Sequence, residues 1–273
     1  MNTVAIVGVG LIGGSFALAL RKAGFQGKII GVSSPATVQK ALALGVIDQA
    51  MPLAEAAAAA DLVYLSQPIS QILGTIDVID AHVCPGTLIT DAGSTKAVIC
   101  ERAAAKIKRG RFVGGHPMAG KESRGVEEAE ADLFRGRPYV LTSGEPKLEA
   151  WIERIGARLV ILEPVEHDEQ VAFVSHLPQL VSTALASVIC GGIHDADPAE
   201  VAGPAAIDMT RLATSPYIIW RDILETNATS IEVALDLLIM ELERLRAELV
   251  NPKMALKFEN AASAARSLRY FQR

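Results

Sequence analysis

Cysteine is scarce. Cys84, Cys100 and Cys190 are the only three in 273 residues. They are widely spaced, odd in number and include no C-x-x-C pair, which argues against a disulfide scaffold or a cysteine zinc site and leaves reduced core residues as the expectation. A basic surplus is also missing. With a formal net charge of −5 and a pI near 5.6, the chain is not expected to bind nucleic acid or an anionic membrane surface. Uncharged runs of bilayer-spanning length are absent apart from one near-exception, the opening MNTVAIVGVGLIGGSFALAL. This run imitates a signal peptide, but it lacks a positive leading segment and meets Arg21 and Lys22 only at its far end. Glycine spacing explains it better, so a cytoplasmic protein is expected.

Hydrophobic residues make up 50% of the chain and charged residues 21%, enough apolar material for a sizeable core. The length favours two domains.

Thr3 to Val7 is a β-branched run, followed by Gly8-Val9-Gly10-Leu11-Ile12-Gly13 and an apolar-periodic segment closed by Gly24. This reads as strand, turn and helix. In a G-x-G-x-x-G turn the first glycine permits the tight bend, the second lets backbone approach a pyrophosphate, and the third allows close helix packing. The helix N-terminus then offers its N–H groups to the phosphates. Gly8, Gly10, Leu11, Ile12 and Gly13 are therefore candidate cofactor contacts. A second strand, Lys28 to Val32, ends where the ribose contact belongs, and there Ser33, followed by Ser34, replaces the acidic residue of an NAD-selective site. No repelling charge meets a 2′-phosphate, and no arginine stands near to grip one. NADP is expected to be modestly preferred, with NAD also used.

The alternation continues through the alanine-rich AEAAAAA helix, the strand DLVYLS with Ser66 and Pro68 at its end, a helix near Ser70 to Ile79, and the strand TLITD. Strands interleaved with helices imply a parallel sheet whose ligands sit at the strands' carboxyl ends. DAGSTK, Asp91 to Lys96, lies at such an end. Its plain reading is a helix cap, with Ser94 or Thr95 satisfying free N–H groups. At the next strand end, RFVGG delivers His116, and the glycines before it leave room for a ligand to reach the ring. A hairpin-like finish, PYVLTSGEP and ARLVILEP, closes this half near Pro164.

Beyond Pro164 the pattern is helical. Leu235, Leu238, Leu242, Leu245 and Leu249 alternate steps of three and four, a seam that packs on another helix and favours a dimer, with an intrachain partner as the alternative. VSHLPQL places His176 before Pro178, which removes a backbone donor and disturbs the turn holding the histidine. DMTRLATSPYIIW offers Arg211, a five-donor cation suited to a carboxylate, and Trp220. HDADP, His194 to Pro198, resembles metal ligands but reads better as a loop and helix start. No metal is expected.

Together VAIVGVGLIGGS, DAGSTK, GGHPMAGKESRGVE, VSHLP and MTRLA resemble the prephenate/arogenate (cyclohexadienyl) dehydrogenase family over nearly the whole chain. The resemblance implies an α/β Rossmann-type, mostly parallel sheet domain over 1–163 and an all-helical dimerisation domain over 164–273, with the active site between them. It implies His116 as catalytic base, Ser94 as the serine orienting it and the nicotinamide, and His176 as a second active-site histidine. It implies Arg211 for the substrate's ring carboxylate, Glu122 near the side-chain end, and Trp220 in the pocket wall. Lys121 stands where many members carry threonine, which touches on side-chain recognition. The implied reaction is NAD(P)-dependent oxidative decarboxylation of prephenate or arogenate, with no room for a regulatory ACT domain or a fused chorismate mutase. Two competing readings are a β-hydroxyacid or 6-phosphogluconate-type dehydrogenase, for which Gly191-Gly192 lacks a following lysine, and a non-catalytic nucleotide sensor.

Overall fold

The computed structural model describes residues 1–121, 123–192 and 200–270. Its first half runs β1 (Thr3–Val7), α1 (Leu11–Lys22), β2 (Lys28–Val32), α2 (Pro35–Ala43), β3 (Gln49–Ala50), α3 (Leu53–Ala59), β4 (Leu62–Leu65), α4 (Ile69–Ile79), β5 (Leu88–Asp91), α5 (Ala97–Lys106) and β6 (Arg111–Val113). These six strands form one sheet in the order β3-β2-β1-β4-β5-β6, and every pair is parallel. The strand order reverses between β1 and β4. That reversal opens a crevice at the strands' carboxyl ends, where open α/β sheets bind ligands. Alternation along β1 fills both faces. Val4 and Ile6 enter one apolar cluster with Phe16 and Leu20 of α1, and Ala5 and Val7 enter the other with Ile72 and Ile76 of α4. The two-residue β3 at the sheet edge is too short to register as a strand pattern in the sequence.

A second, smaller sheet follows, with β7 (Gly115–Pro117), β8 (Pro138–Leu141) and β9 (Arg158–Ile161) in that order. The expected hairpin is corrected here. β8 and β9 pair in parallel, and α6 (Pro146–Arg154) carries the chain between them. Glu145 caps α6 by accepting from the Lys147 N–H, Pro146 opens the helix, and Leu148 and Ile152 bury its apolar face. The antiparallel partner of β8 is β7, the strand carrying His116.

The described remainder is mainly helical, with α7 (Pro164–Val171), a π-helical turn at Ala172–His176, α8 (Leu177–Gly192), α9 (Pro204–Thr210), a 3₁₀ turn at Arg211–Thr214, α10 (Tyr217–Thr226), α11 (Ala228–Ala247) and α12 (Met254–Tyr270). The π turn ends two residues before Pro178, as the lost backbone donor requires. By length and composition, 164–192 is apolar enough to cross a bilayer. Its Asp168, however, binds the start of α5, and its His176, Gln179 and Ser182 are buried in the protein.

The cysteines depart from expectation. Cys84 and Cys190 are exposed, and Cys100 is half-buried with its thiol pushed up to about 11 by desolvation. All three are unbridged.

Candidate active site

The glycine-rich turn between β1 and α1 has the geometry that its spacing calls for. Gly8 adopts φ +96°, where a side chain would be strained, and a Cβ there would lie 2.8 Å from the Ser66 backbone. At Gly13 a Cβ would overlap the Gly8 carbonyl oxygen and the Ser66 hydroxyl, so this glycine lets α1 seat against the ends of β1 and β4. Gly10, by contrast, faces open space and is the N-cap of α1, with no side chain bonding to the helix end. The first N–H groups of α1 therefore point into the crevice, where an anion fits. From Gly8 and Gly10 a groove runs past Ser33, Ser34 and Thr37 on one side and Ser66 and Pro68 on the other. Among the described residues, no charged side chain lines it. The Ser34 hydroxyl caps α2 through the Thr37 N–H, which leaves Ser33 as the exposed hydroxyl at the end of β2. These residues fit a dinucleotide, with its pyrophosphate at Gly10 to Gly13 and a ribose near Ser33.

The groove continues into a second cleft lined by Gly10, Leu11, Ile12, Ser66 and Pro68, the 92–94 loop after β5, the 119–121 segment after β7, and Ile218, Ile219, Asp222 and Ile223 of α10. The cleft thus lies between the sheet domain and the helical body. Asp222 ties the two together by accepting from the Ser70 N–H at the start of α4. Ser94 and Lys121 line the cleft, but the Lys121 ammonium donates to the Glu128 carbonyl and pairs with Glu130. Glu122 and the segment containing His194 to Pro198 lie outside the described residues.

His116 sits on β7 directly beside the DAGSTK loop. The preceding Gly115 donates to Asp91 Oδ1, and a Cβ there would approach the Asp91 carbonyl oxygen to 2.6 Å. The other Asp91 carboxylate oxygen accepts from the Gly93 N–H and pairs with the buried Lys96 ammonium, so a hydrogen-bonded ion pair fixes the loop. His116 is only 7% exposed. Desolvation, reinforced by neighbouring His167, Lys96 and His176, holds its pKa well below the ordinary 6.5.

The partner of His116 is a finding of the structure. His116 Nδ1 lies 2.8 Å from His167 Nε2, and His167 Nδ1 lies 2.8 Å from Asp168 Oδ1. Asp168 also accepts from the Lys96 and Ala97 N–H groups, at 2.6 and 2.9 Å. This corrects the local cap read into DAGSTK, because neither Ser94 nor Thr95 caps α5. The carboxylate that does so comes from α7, about seventy residues away in sequence. The hydrogen bond at His116 Nδ1 comes from His167, on the same helix α7.

His176 lies close by, 1% exposed, with its ring 6.0 Å from that of Trp220 in an edge-to-face arrangement. Its Nδ1 meets Asn227 Nδ2 at 3.3 Å, and the same amide donates to the Asp168 carbonyl at 2.7 Å. Its Nε2 is buried and has no hydrogen-bond partner among the described residues. Burial pushes the His176 pKa down to about 4, with Asp168 acting in the opposite direction. Trp220 is anchored by its indole N–H to Ser215. Arg211 is exposed at the start of its 3₁₀ turn and is not part of the cleft lining. The turn itself is held to α8 by Gln179, which donates to the Leu212 carbonyl, and by Ser182, which accepts from the Ala213 N–H.

His167, Asp168 and Asn227 escaped the sequence reading. His167 and Asp168 stand in PVEHDEQV, where a charged helical stretch conceals them, and Asn227 reads as an ordinary helix junction. The only available signal is the adjacent His-Asp pair, which is too common to act upon.

A parallel sheet with a glycine-rich dinucleotide crevice, joined to a helical body whose His167 hydrogen-bonds the sheet domain's His116, has the architecture of the Rossmann-class dehydrogenases with a helical second domain. Comparison with known proteins narrows this. Residues 16–163 match the family model of the prephenate dehydrogenase nucleotide-binding domain, and residues 163–260 match that of the prephenate dehydrogenase dimerization domain. The chain belongs to the prephenate dehydrogenase family. It is 35% identical to the prephenate dehydrogenase of Lactococcus lactis subsp. cremoris over 83% of its own length and 65% of the relative's, so it spans about two thirds of that protein. The crystal structure of prephenate dehydrogenase from Aquifex aeolicus in complex with hydroxyphenyl propionate and NAD+ superposes with a TM-score of 0.89 at 30% identity, covering 98% of each chain. Synechocystis arogenate dehydrogenase superposes with a TM-score of 0.84 at 29% identity, covering 97% of this chain and 99% of the other.

Proposed function

We propose that the chain catalyses NAD(P)-dependent oxidative decarboxylation of prephenate or arogenate, with His116 as the general base. The observation that carries this reading is the buried, hydrogen-bonded imidazole of His116 beside the dinucleotide crevice. Burial keeps the ring unprotonated near physiological pH, which is the state a base must start from. His116 takes the proton of the ring 4-hydroxyl, the ring carboxylate departs as carbon dioxide, and the remaining ring becomes aromatic. A bound nicotinamide supplies the acceptor for the hydride lost from the hydroxyl-bearing carbon. Ser94, on the same cleft, is assigned to orient the nicotinamide end. His176 and Trp220 are assigned to the pocket wall, with Glu122 and Lys121 near the substrate's side chain. Arg211 is assigned the ring carboxylate, on its match within MTRLA. The domains are taken as 1–163 and 164–273, and the active enzyme as a homodimer.

For the cofactor, the described residues of the groove at Ser33 offer neither a carboxylate to repel a 2′-phosphate nor a cation to grip one. Use of both cofactors with a modest preference for NADP is therefore the proposal. Steady-state assays of prephenate and arogenate, each with NAD and NADP, test the reading through the absorbance of the reduced nicotinamide. Turnover of at least one substrate is expected, with kcat/KM for the two cofactors differing by no more than about tenfold, since only neutral donors discriminate between them. A folded protein inactive in all four combinations would return the chain to a non-catalytic nucleotide sensor. Strong selectivity for NAD would remove Ser33 from the ribose position.

A further inference from the structure

Two buried histidines reach Asp168 by different routes. His116 is linked through His167 to the Asp168 carboxylate, and His176 is linked through Asn227 to the Asp168 carbonyl. In each case the donors and acceptors along the route fix where the protons lie.

On the first route the carboxylate can only accept. A neutral imidazole at His167 carries one proton, which must sit on Nδ1 to bond Asp168 Oδ1 at 2.8 Å, so His167 Nε2 presents a lone pair. His116 Nδ1, 2.8 Å from that lone pair, must then be the donor, which leaves His116 Nε2 unprotonated. On the second route the Asp168 carbonyl can only accept, so the Asn227 atom 2.7 Å from it is the amide nitrogen. The second hydrogen of that nitrogen points to His176 Nδ1, which must therefore be the acceptor. A neutral His176 then carries its proton on Nε2, the buried nitrogen without a partner among the described residues.

We propose that two relays anchored at Asp168, one on its carboxylate through His167 and one on its backbone carbonyl through Asn227, set these two histidines in opposite tautomers, so that the site offers a substrate one acceptor, His116 Nε2, and one donor, His176 Nε2–H. Aligning a base through a buried carboxylate follows the logic of hydrolase triads, where the wrong tautomer removes catalysis. The donor is the complementary half. A buried N–H without an acceptor is unfavourable, and a substrate oxygen placed there relieves it. This assignment deepens the proposed function, and its catalytic consequence rests on that reading. The proton positions do not.

The test is nitrogen-15 NMR of the full chain labelled at histidine, without ligand and at mildly alkaline pH, with its five histidines assigned by single substitution. His116 should be protonated on Nδ1 alone and His176 on Nε2 alone. Protonation of His116 on Nε2, a His167 protonated on both nitrogens, or His176 protonated on Nδ1 would overturn the proposal. Variants then separate the two routes. His167→Leu removes the acceptor, and should leave His116 in a mixture of tautomers with kcat lowered at least about tenfold and the cofactor KM unchanged. His167→Gln, whose amide oxygen can accept the Nδ1–H, should restore most of the rate. Asn227→Ala should mix the tautomers of His176 alone and raise substrate KM severalfold. A wild-type tautomer and rate in His167→Leu would refute the first route. An unaltered His176 in Asn227→Ala would refute the second. If a variant fails to fold, the wild-type spectrum still decides. If that spectrum is as expected but neither prephenate nor arogenate is turned over, the functional reading fails while the proton arrangement stands.

Discussion

Burial sets the chemistry of His116. An imidazole in water spends much of its time protonated at mildly acidic pH, whereas this ring is held well below its ordinary 6.5 by desolvation, reinforced by neighbouring His167, Lys96 and His176. The base should therefore stay competent as pH falls through 6.5, and the acid limb of kcat/KM should lie below that value. An acid limb centred above 6.5 would place the titrating base elsewhere. His116→Asn should fold and lower kcat by at least about a hundredfold with little change in KM, the usual scale for losing general-base help. Near-normal turnover in that variant would leave His116 a packing residue. His176 carries the linked consequence for stability. Its folded pKa of about 4 lies below the unfolded 6.5, so the unfolded chain binds the extra proton first. This part of the stability is intact above 6.5 and is lost as pH falls from there toward about 4. The slope is at most about 1.4 kcal/mol per pH unit for this one group. Urea denaturation at several pH values checks the sign, and stability that rises on acidification through this window would contradict it.

Helix α5 shows how one element can depend on another far along the chain. Its first N–H groups have no local side-chain cap and are bonded instead to the Asp168 carboxylate of α7. Asp168→Ala should destabilise the protein by about 2–3 kcal/mol, combining a lost cap with buried N–H groups left unpaired. Chemical denaturation measures this, and a loss under about 0.5 kcal/mol would mean that water replaces the carboxylate readily. The same element marks the limit of what the sequence carries. Strand β1, the glycine turn and α1 are legible because their signals are local: a β-branched run, a fixed glycine spacing and a helical period within some twenty residues. The turn at His176 is legible for the same reason, since Pro178 acts on its own neighbourhood. The cap on α5 is not, because Ser94 and Thr95 are sound local candidates and nothing near them names Asp168. The pairing of β8 with β9 fails differently. Two short apolar runs look like a hairpin until the nine residues of α6 between them are given their own Pro146 start and buried Leu148 and Ile152. His116 was found through strand-end position and motif, whereas His167 lay within a charged helix whose buried face only the packing reveals.

At the scale of the whole molecule, the helical body leaves apolar surface uncovered in one chain. Ile231 and Ala234 at the start of α11 are buried, and Leu235, Leu238 and Leu245 are half-buried, but Leu242 is 54% exposed and Leu249 69%. Further along, Leu256, Phe258 and Leu268 of α12 are also exposed. The intrachain partner that would have closed the Leu235 to Leu249 seam is therefore incomplete. Exposed leucines along α11 and just past its end are the kind of surface a second copy would cover, and residues 163–260 match a dimerization domain. Light scattering at micromolar concentration should give about twice the 28.9 kDa chain mass. Replacing Leu242 and Leu249 together by glutamate places like charges on a surface that a twofold axis brings against its own copy or its neighbours. Neither side chain is buried in the single chain, so the fold should survive and the mass should fall toward 28.9 kDa. Retention of the dimer mass in that variant would move the interface off this seam. A wild-type monomer with full activity would show that one chain completes the site by itself, with the exposed leucines left for some other partner.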